Sequence, residues 1–133
     1  MNAKNTEYLL KKYPKIFAQY KLPMTKTSMC WGFECGDGWF ALIDVLCDLI
    51  QQHCNELQKK GRDFQIEAVQ VKEKYGGLRF YTNYIDNFVN NVIIFAEEMS
   101  YRTCEVCGTT KDAKVNEGGW LSTRCPKCRK EGK

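Results

Sequence analysis

The chain predicts an α+β fold, in which a small antiparallel sheet packs against two long helices and a C-terminal zinc ribbon is appended. Three observations carry this. Residues 39–61 and 86–102 repeat apolar side chains at helical steps. Residues 64–84 between them switch to a period of two around a glycine pair. Residues 103–133 hold two CxxC pairs and no apolar stripe. The boundaries expected are a body over 1–102 and a separate unit over 103–133. The 133 residues are 44% hydrophobic, 13% aromatic and 27% charged, which excludes a disordered or collagen-like chain. No stretch approaches the roughly 20 apolar residues that span a bilayer.

Residues 5–20 read as a short helix, a break at Pro14 and a further turn, with Tyr8, Leu9, Leu10 and Tyr13 as its apolar side. Residues 21–35 are irregular, although Met29, Trp31, Phe33 and Cys35 alternate as a short strand would. The long helix has Asp37 as its expected N-cap and Trp39, Leu42, Ile43, Leu46, Ile50 and Leu57 as its stripe. Lys59, Lys60 and Gly61 close it. Phe64, Ile66 and Ala68 then alternate, and the phase slips at Val69 and Val71, which a β-bulge explains. A hairpin loop at Gly76-Gly77 returns the chain through Leu78–Tyr84. The second helix takes Asp86 as its cap and Phe88, Val92, Phe95 and Met99 as its stripe.

The strongest chemical signal is Cys104-Glu105-Val106-Cys107, 17 intervening residues, then Cys125-Pro126-Lys127-Cys128. Two tight turns each aim two thiolates at one ion, the tetrahedral set of structural zinc. Gly108 and Pro126 suit those turns, and the spacer accommodates a short hairpin. The alternative is a redox dithiol or a disulfide. Without an export-type apolar run after Met1, a reducing cytoplasm favours metal. Cys47 and Cys54 read as buried helix thiols, while Cys30 and Cys35 could join His53 or Cys54 in a second metal site. The 20 basic and 16 acidic residues give +4. One zinc with four thiolates lowers this to +2, too little for a broad, sequence-blind grip on duplex DNA.

With Gly76-Gly77 as the loop, Lys74 faces Arg79 and Lys72 faces Tyr81. Gln70, Lys72, Lys74, Arg79, Tyr81 and Asn83 then share one strand face, and a bound anion would relieve the like-charge pair. A solvated face with acidic partners from elsewhere is the other reading. Gly36-Asp37-Gly38-Trp39 reads as a helix start with a core Trp, or as a ligand site at a helix N-terminus through Asp37 and Trp39. In the tail, Trp120, Arg124, Lys127, Arg129 and Lys130 could touch nucleic acid, on a segment whose net charge is only +1 once zinc and its thiolates are counted.

Lys12-Tyr13-Pro14, Gly36-Asp37-Gly38-Trp39, the run Lys72-Glu73-Lys74-Tyr75-Gly76-Gly77-Leu78-Arg79-Phe80-Tyr81 and the four-cysteine tail together resemble a family of small proteins of unassigned role encoded by bacteriophages and prophages. The likeness covers roughly residues 8–128 and implies a bacterial cytoplasm. The function expected is a non-enzymatic, zinc-stabilised binding protein. It would hold an anionic ligand, nucleotide or nucleic acid, at Lys72, Lys74, Arg79, Tyr81 and Asn83, and one version sequesters a host defence nucleotide. An adaptor or inhibitor of a host protein is the alternative. An enzyme ranks third, with Asp37 and His53 the residues to watch.

Overall fold

A computed structural model describes residues 1–131. Its elements, in chain order, are α1 (Ala3–Lys12), β1 (Phe33–Glu34), α2 (Phe40–Lys59), β2 (Ala68–Lys74), β3 (Gly77–Thr82), α3 (Asn87–Ser100), β4 (Lys114–Val115), β5 (Thr123–Arg124) and α4 (Pro126–Glu131). Short 3₁₀ turns at Ala18–Lys21, Met29–Trp31 and Asp37–Trp39 link the early elements. The architecture is α+β, as the two periodicities require. No helix among the described residues is long and apolar enough to cross a membrane.

The main sheet runs β1-β2-β3. β2 and β3 are antiparallel, but β1 joins β2 in parallel, so the sheet is mixed rather than wholly antiparallel. The strand expected across 29–35 shrinks to two residues because Met29–Trp31 winds into a 3₁₀ turn. The bulge lies where the phase slip places it, between Ala68 and Gln70.

The hairpin register differs from expectation. Lys74 pairs with Gly77, Glu73 with Leu78, and Lys72 with Arg79. The loop residues are therefore Tyr75 and Gly76, both left-handed at φ 54° and 85°, the backbone pair a two-residue type I′ turn needs. Gly77 is a glycine for another reason: a Cβ there would lie 2.3 Å from the Tyr101 ring. One glycine serves the turn and the other serves packing, so the sequence pair is not the loop.

α2 buries Ile43, Leu46, Cys47, Ile50 and Cys54, and Trp39 just before it is fully buried. Gly61, at φ 83°, ends it as expected, and the Arg62 amide reaches back 3.0 Å to the Leu57 carbonyl. Asp37, however, does not cap α2, which has no side-chain cap. Its carboxylate accepts from the Asn2 amide at 2.8 Å and from Asn5 Nδ2 at 3.1 Å, bracing the start of α1 instead. The intervening 3₁₀ turn at Asp37–Trp39 carries Asp37 away from the first free amides of the helix.

α3 is capped by Asp86, whose Oδ1 accepts from the Val89 amide at 2.9 Å. Its buried stripe is Val89, Ile93, Ala96 and Ser100, one position round from the stripe expected. Phe88 and Phe95 are exposed. The rotation has a polar cause. β3 is an edge strand whose outward amides need acceptors: the Leu78 amide donates to Ser100 Oγ at 2.9 Å, and the Glu97 carboxylate stands near the Phe80 amide. Packing Ser100 and Glu97 toward the strand turns the phenylalanines outward.

Two predictions follow from these contacts. Ser100→Ala leaves the buried Leu78 amide without its acceptor and should cost about 1–3 kcal/mol in urea unfolding. Asp86 sits below its ordinary pKa: burial pushes it up, but the Val89 amide and His53 at 2.7 Å outweigh that. The Asp86 contribution is therefore present above about pH 4 and lost as pH falls through the depressed value. The fall in melting temperature below pH 4 should be shallower in Asp86→Asn than in the wild type.

Candidate metal centre

Each half of the tail folds into a turn that presents two sulfurs. In the first, Gly108 takes φ 83° and its amide donates to the Cys104 carbonyl at 2.9 Å. In the second, Pro126 opens α4 and the Cys128 amide points at Cys125 Sγ, 3.5 Å away. The spacer forms the short hairpin β4–β5, which brings the turns together. Arg129 fastens it by donating through Nη2 to the carbonyls of Lys114 at 2.7 Å and Ser122 at 3.1 Å, which makes this basic residue an internal staple.

The result is one cluster: the sulfurs of Cys104, Cys107, Cys125 and Cys128 all lie within 4.8 Å of one another. Cys107 and Cys125 stand 3.8 Å apart. Sulfurs on a tetrahedron around an ion at about 2.3 Å are separated by roughly that distance. All eight cysteines are free thiols, so the disulfide alternative does not describe this structure. Burial disfavours a thiolate at Cys104, yet the amides of Cys107, Cys125 and Val106 outweigh it and hold the thiol down to about 6. Burial and the neighbouring sulfurs push Cys128 up to about 12. Four thiolates gathered this closely repel one another, and one bound cation removes that cost. These four residues fit a single metal ion.

The Gly36–Trp39 segment proves to be the seat of this centre. The Gly38 amide donates to the Glu105 carbonyl at 2.7 Å and the Gly36 amide to Glu105 Oε2 at 2.9 Å. Trp39 Nε1 donates to the Thr103 carbonyl at 2.8 Å. A Cβ on Gly38 would lie 2.0 Å from the Cys104 carbonyl oxygen, and one on Gly36 would lie 2.3 Å from that of Glu105. Only glycines permit two backbones to meet this closely. Glu105 is held above its ordinary pKa by burial, which the Gly36 amide opposes. A third contact ties in the hairpin, where Thr123 Oγ1 donates to the Gly76 carbonyl at 2.5 Å.

The other expected site residues fall elsewhere. Trp39 lies in the core and Asp37 is engaged with α1, so the two do not form a ligand pocket. Lys72 pairs with Arg79, not with Tyr81, and Tyr81 lies opposite Gln70. The two-residue shift in pairing keeps Gln70, Lys72, Lys74, Arg79 and Tyr81 on one face. Glu34 flanks Lys72 from β1, and Arg79 lies near Glu97 and hydrogen-bonds Tyr101. Acidic residues therefore lie beside the Lys72–Arg79 row, while Lys74 is exposed. Asn83 Oδ1 accepts from the Glu67 amide at 2.9 Å. Among the described residues the only group of metal-type ligands is the four-cysteine cluster. Cys30 bonds the Thr27 carbonyl, Cys47 and Cys54 are buried, and His53 pairs with Asp86 and stacks on Phe88 at 4.4 Å.

Fold and site together define a small α+β protein with a closed four-cysteine metal centre docked on its body. No family model, curated protein or solved structure matches the chain.

Gly38→Ala, whose cost is steric alone, should destabilise the protein by about 1–3 kcal/mol or more. It should also hasten metal loss to a chelator, followed as release of the ion to a colorimetric dye. Stripping the metal from the wild type should make the four cluster thiols reactive to a disulfide reagent while Cys47 stays protected.

Proposed function

We propose that the chain is a non-enzymatic, zinc-stabilised binding protein that holds an anionic ligand, a nucleotide or a nucleic acid, on its hairpin side. The closed metal centre carries this reading. Four sulfurs at tetrahedral spacing suit zinc and fill its coordination, leaving no position for a substrate or an activated water. The ion then serves to hold the tail against Gly36, Gly38 and Gly76. What the tail frames is the exposed Lys74 end of the hairpin, with Lys72, Arg79 and Tyr81 further along the same face. Because Glu34 and Glu97 offset part of that row, Lys74 carries the least balanced charge. The likeness to phage-encoded proteins makes a nucleotide signal of host defence, met in a bacterial cytoplasm, one concrete ligand.

A specific observation favours a second reading, an adaptor that binds a host protein. The outer faces of α2 and α3 leave Val45, Leu49, Phe88 and Phe95 exposed, with Phe95 67% accessible. Apolar groups on two packed helices are a common contact surface.

Native mass spectrometry of protein purified from its host should find one zinc per chain and a copurified nucleotide-sized mass. Lys74→Glu should weaken ligand binding about tenfold with an unchanged melting temperature. For a nucleic acid ligand, affinity should fall steeply with salt; a flat salt response removes that ligand. An adaptor would instead lose its partner in Phe95→Glu and keep it in Lys74→Glu.

A further inference from the structure

The tips of two loops frame a cavity of about 430 Å³, lined by Glu73, Lys74, Tyr75, Gly119, Trp120 and Leu121. Small-ligand sites span roughly 300–1,000 Å³. Its two aromatic walls are almost bare: Tyr75 is 67% exposed and Trp120 87%. Turn geometry places both backbones, and neither ring is buried. Tyr75 occupies the left-handed turn position at φ 54°, where Asn or Gly is favoured and a tyrosine is strained. Trp120 rides a loop shaped by one side chain. Asn116 Nδ2 donates to the carbonyls of Gly118 at 2.8 Å and Trp120 at 3.0 Å, and its Oδ1 accepts from the Ser122 amide at 2.7 Å. Gly118 and Gly119 supply the positive φ that this path needs. Asn116 ties the loop together, yet the indole it carries has no ring contact or hydrogen bond to the described residues.

Charge selects among possible occupants. Lys74 Nζ lies 5.6 Å from the Tyr75 ring centroid. The one carboxylate among the lining residues, Glu73, is engaged by the Gly76 amide at 2.8 Å. The exposed indole, and a Tyr75 ring that carries the Lys74 ammonium over one face, match a flat ring joined to an anion. A proline or aromatic side chain of a peptide would use the rings and leave Lys74 idle. Bases inside a duplex are already stacked and cannot enter.

We propose that this cleft takes an unpaired nucleobase between Trp120 and Tyr75, with the attached phosphate on Lys74. The source is a free nucleotide or a single-stranded nucleic acid. This deepens the binding function above and rests on it, and it moves the centre of the site from the strand face to the gap between hairpin and tail.

The test uses metal-loaded, full-length protein titrated with AMP, a labelled decathymidylate, a DNA duplex and a proline-rich peptide. Tryptophan emission and anisotropy are the readouts. Decathymidylate or AMP should quench emission and the duplex should not. An AMP affinity equal to that of the oligomer assigns the free nucleotide, and binding of the oligomer alone assigns the single strand. Trp120→Ala and Tyr75→Ala should each weaken binding tenfold or more at an unchanged melting temperature, since neither ring is packed. Lys74→Gln should lower the salt slope for the oligomer by about one. Wild-type affinity in both aromatic variants, with binding lost in Lys72→Glu, overturns the cleft and leaves the broader function standing. Failure of every nucleotide to bind the wild type overturns both. Quenching by the peptide alone overturns the ligand class.

Discussion

The molecule depends on one close approach, the backbone of the first cysteine turn lying directly on the backbone of Gly36 and Gly38. Sulfur–metal bonds can shape that turn, but they do not say where it sits. The Gly38–Glu105 and Gly36–Glu105 hydrogen bonds do, and they form only because no Cβ stands between the chains. Trp39 extends the same contact into the core by burying its ring under α2 while giving its N–H to Thr103. A centre of this kind does more than staple thirty residues too few to build a core of their own. It transmits its order into the start of the long helix and, through Thr123 and Gly76, into the tip of the hairpin. A cation held by the four sulfurs would therefore also favour the observed shape of the hairpin end.

Much of this is legible in the sequence, and the parts that are not share a cause. The helices, the bulge after Ala68, the Gly61 stop, the Asp86 cap and the four-cysteine cluster each follow from short-range rules about period, turns and spacing. The failures concern partners far apart in the chain. Asp37 satisfies every local criterion of a cap, but Asn2 and Asn5 claim it once α1 folds back. Phe88 and Phe95 form a regular stripe, but the outward amides of β3 set the helix rotation through Ser100 and Glu97. Gly76 and Gly77 look like a matched loop pair, yet Tyr101, 24 residues on, requires the second. The Gly36–Gly38 pair gave a visible signal, two glycines around an aspartate before a Trp. What it met, a cysteine turn about 70 residues away, has no local trace.

The same distinction applies to the binding surfaces. An alternating basic strand can be read in one dimension, and its face survives the change of register because side chains alternate whichever residue lies opposite. Its charge does not survive unaltered, since Glu34 and Glu97 arrive from other elements. Tyr75 and Trp120 are 45 positions apart and belong to no common pattern. Only the docking of tail on body makes them neighbours.

The way α3 lies along β3 has a further consequence. An outer strand normally displays a row of open hydrogen-bonding groups that another polypeptide can zip onto, the first step toward fibrous aggregates. Here Ser100 takes one outward amide of β3 and Glu97 stands beside another, and the strand at the opposite border is only two residues long. The main sheet thus offers another chain a shortened edge to extend, although bare aromatic rings lie elsewhere on the surface.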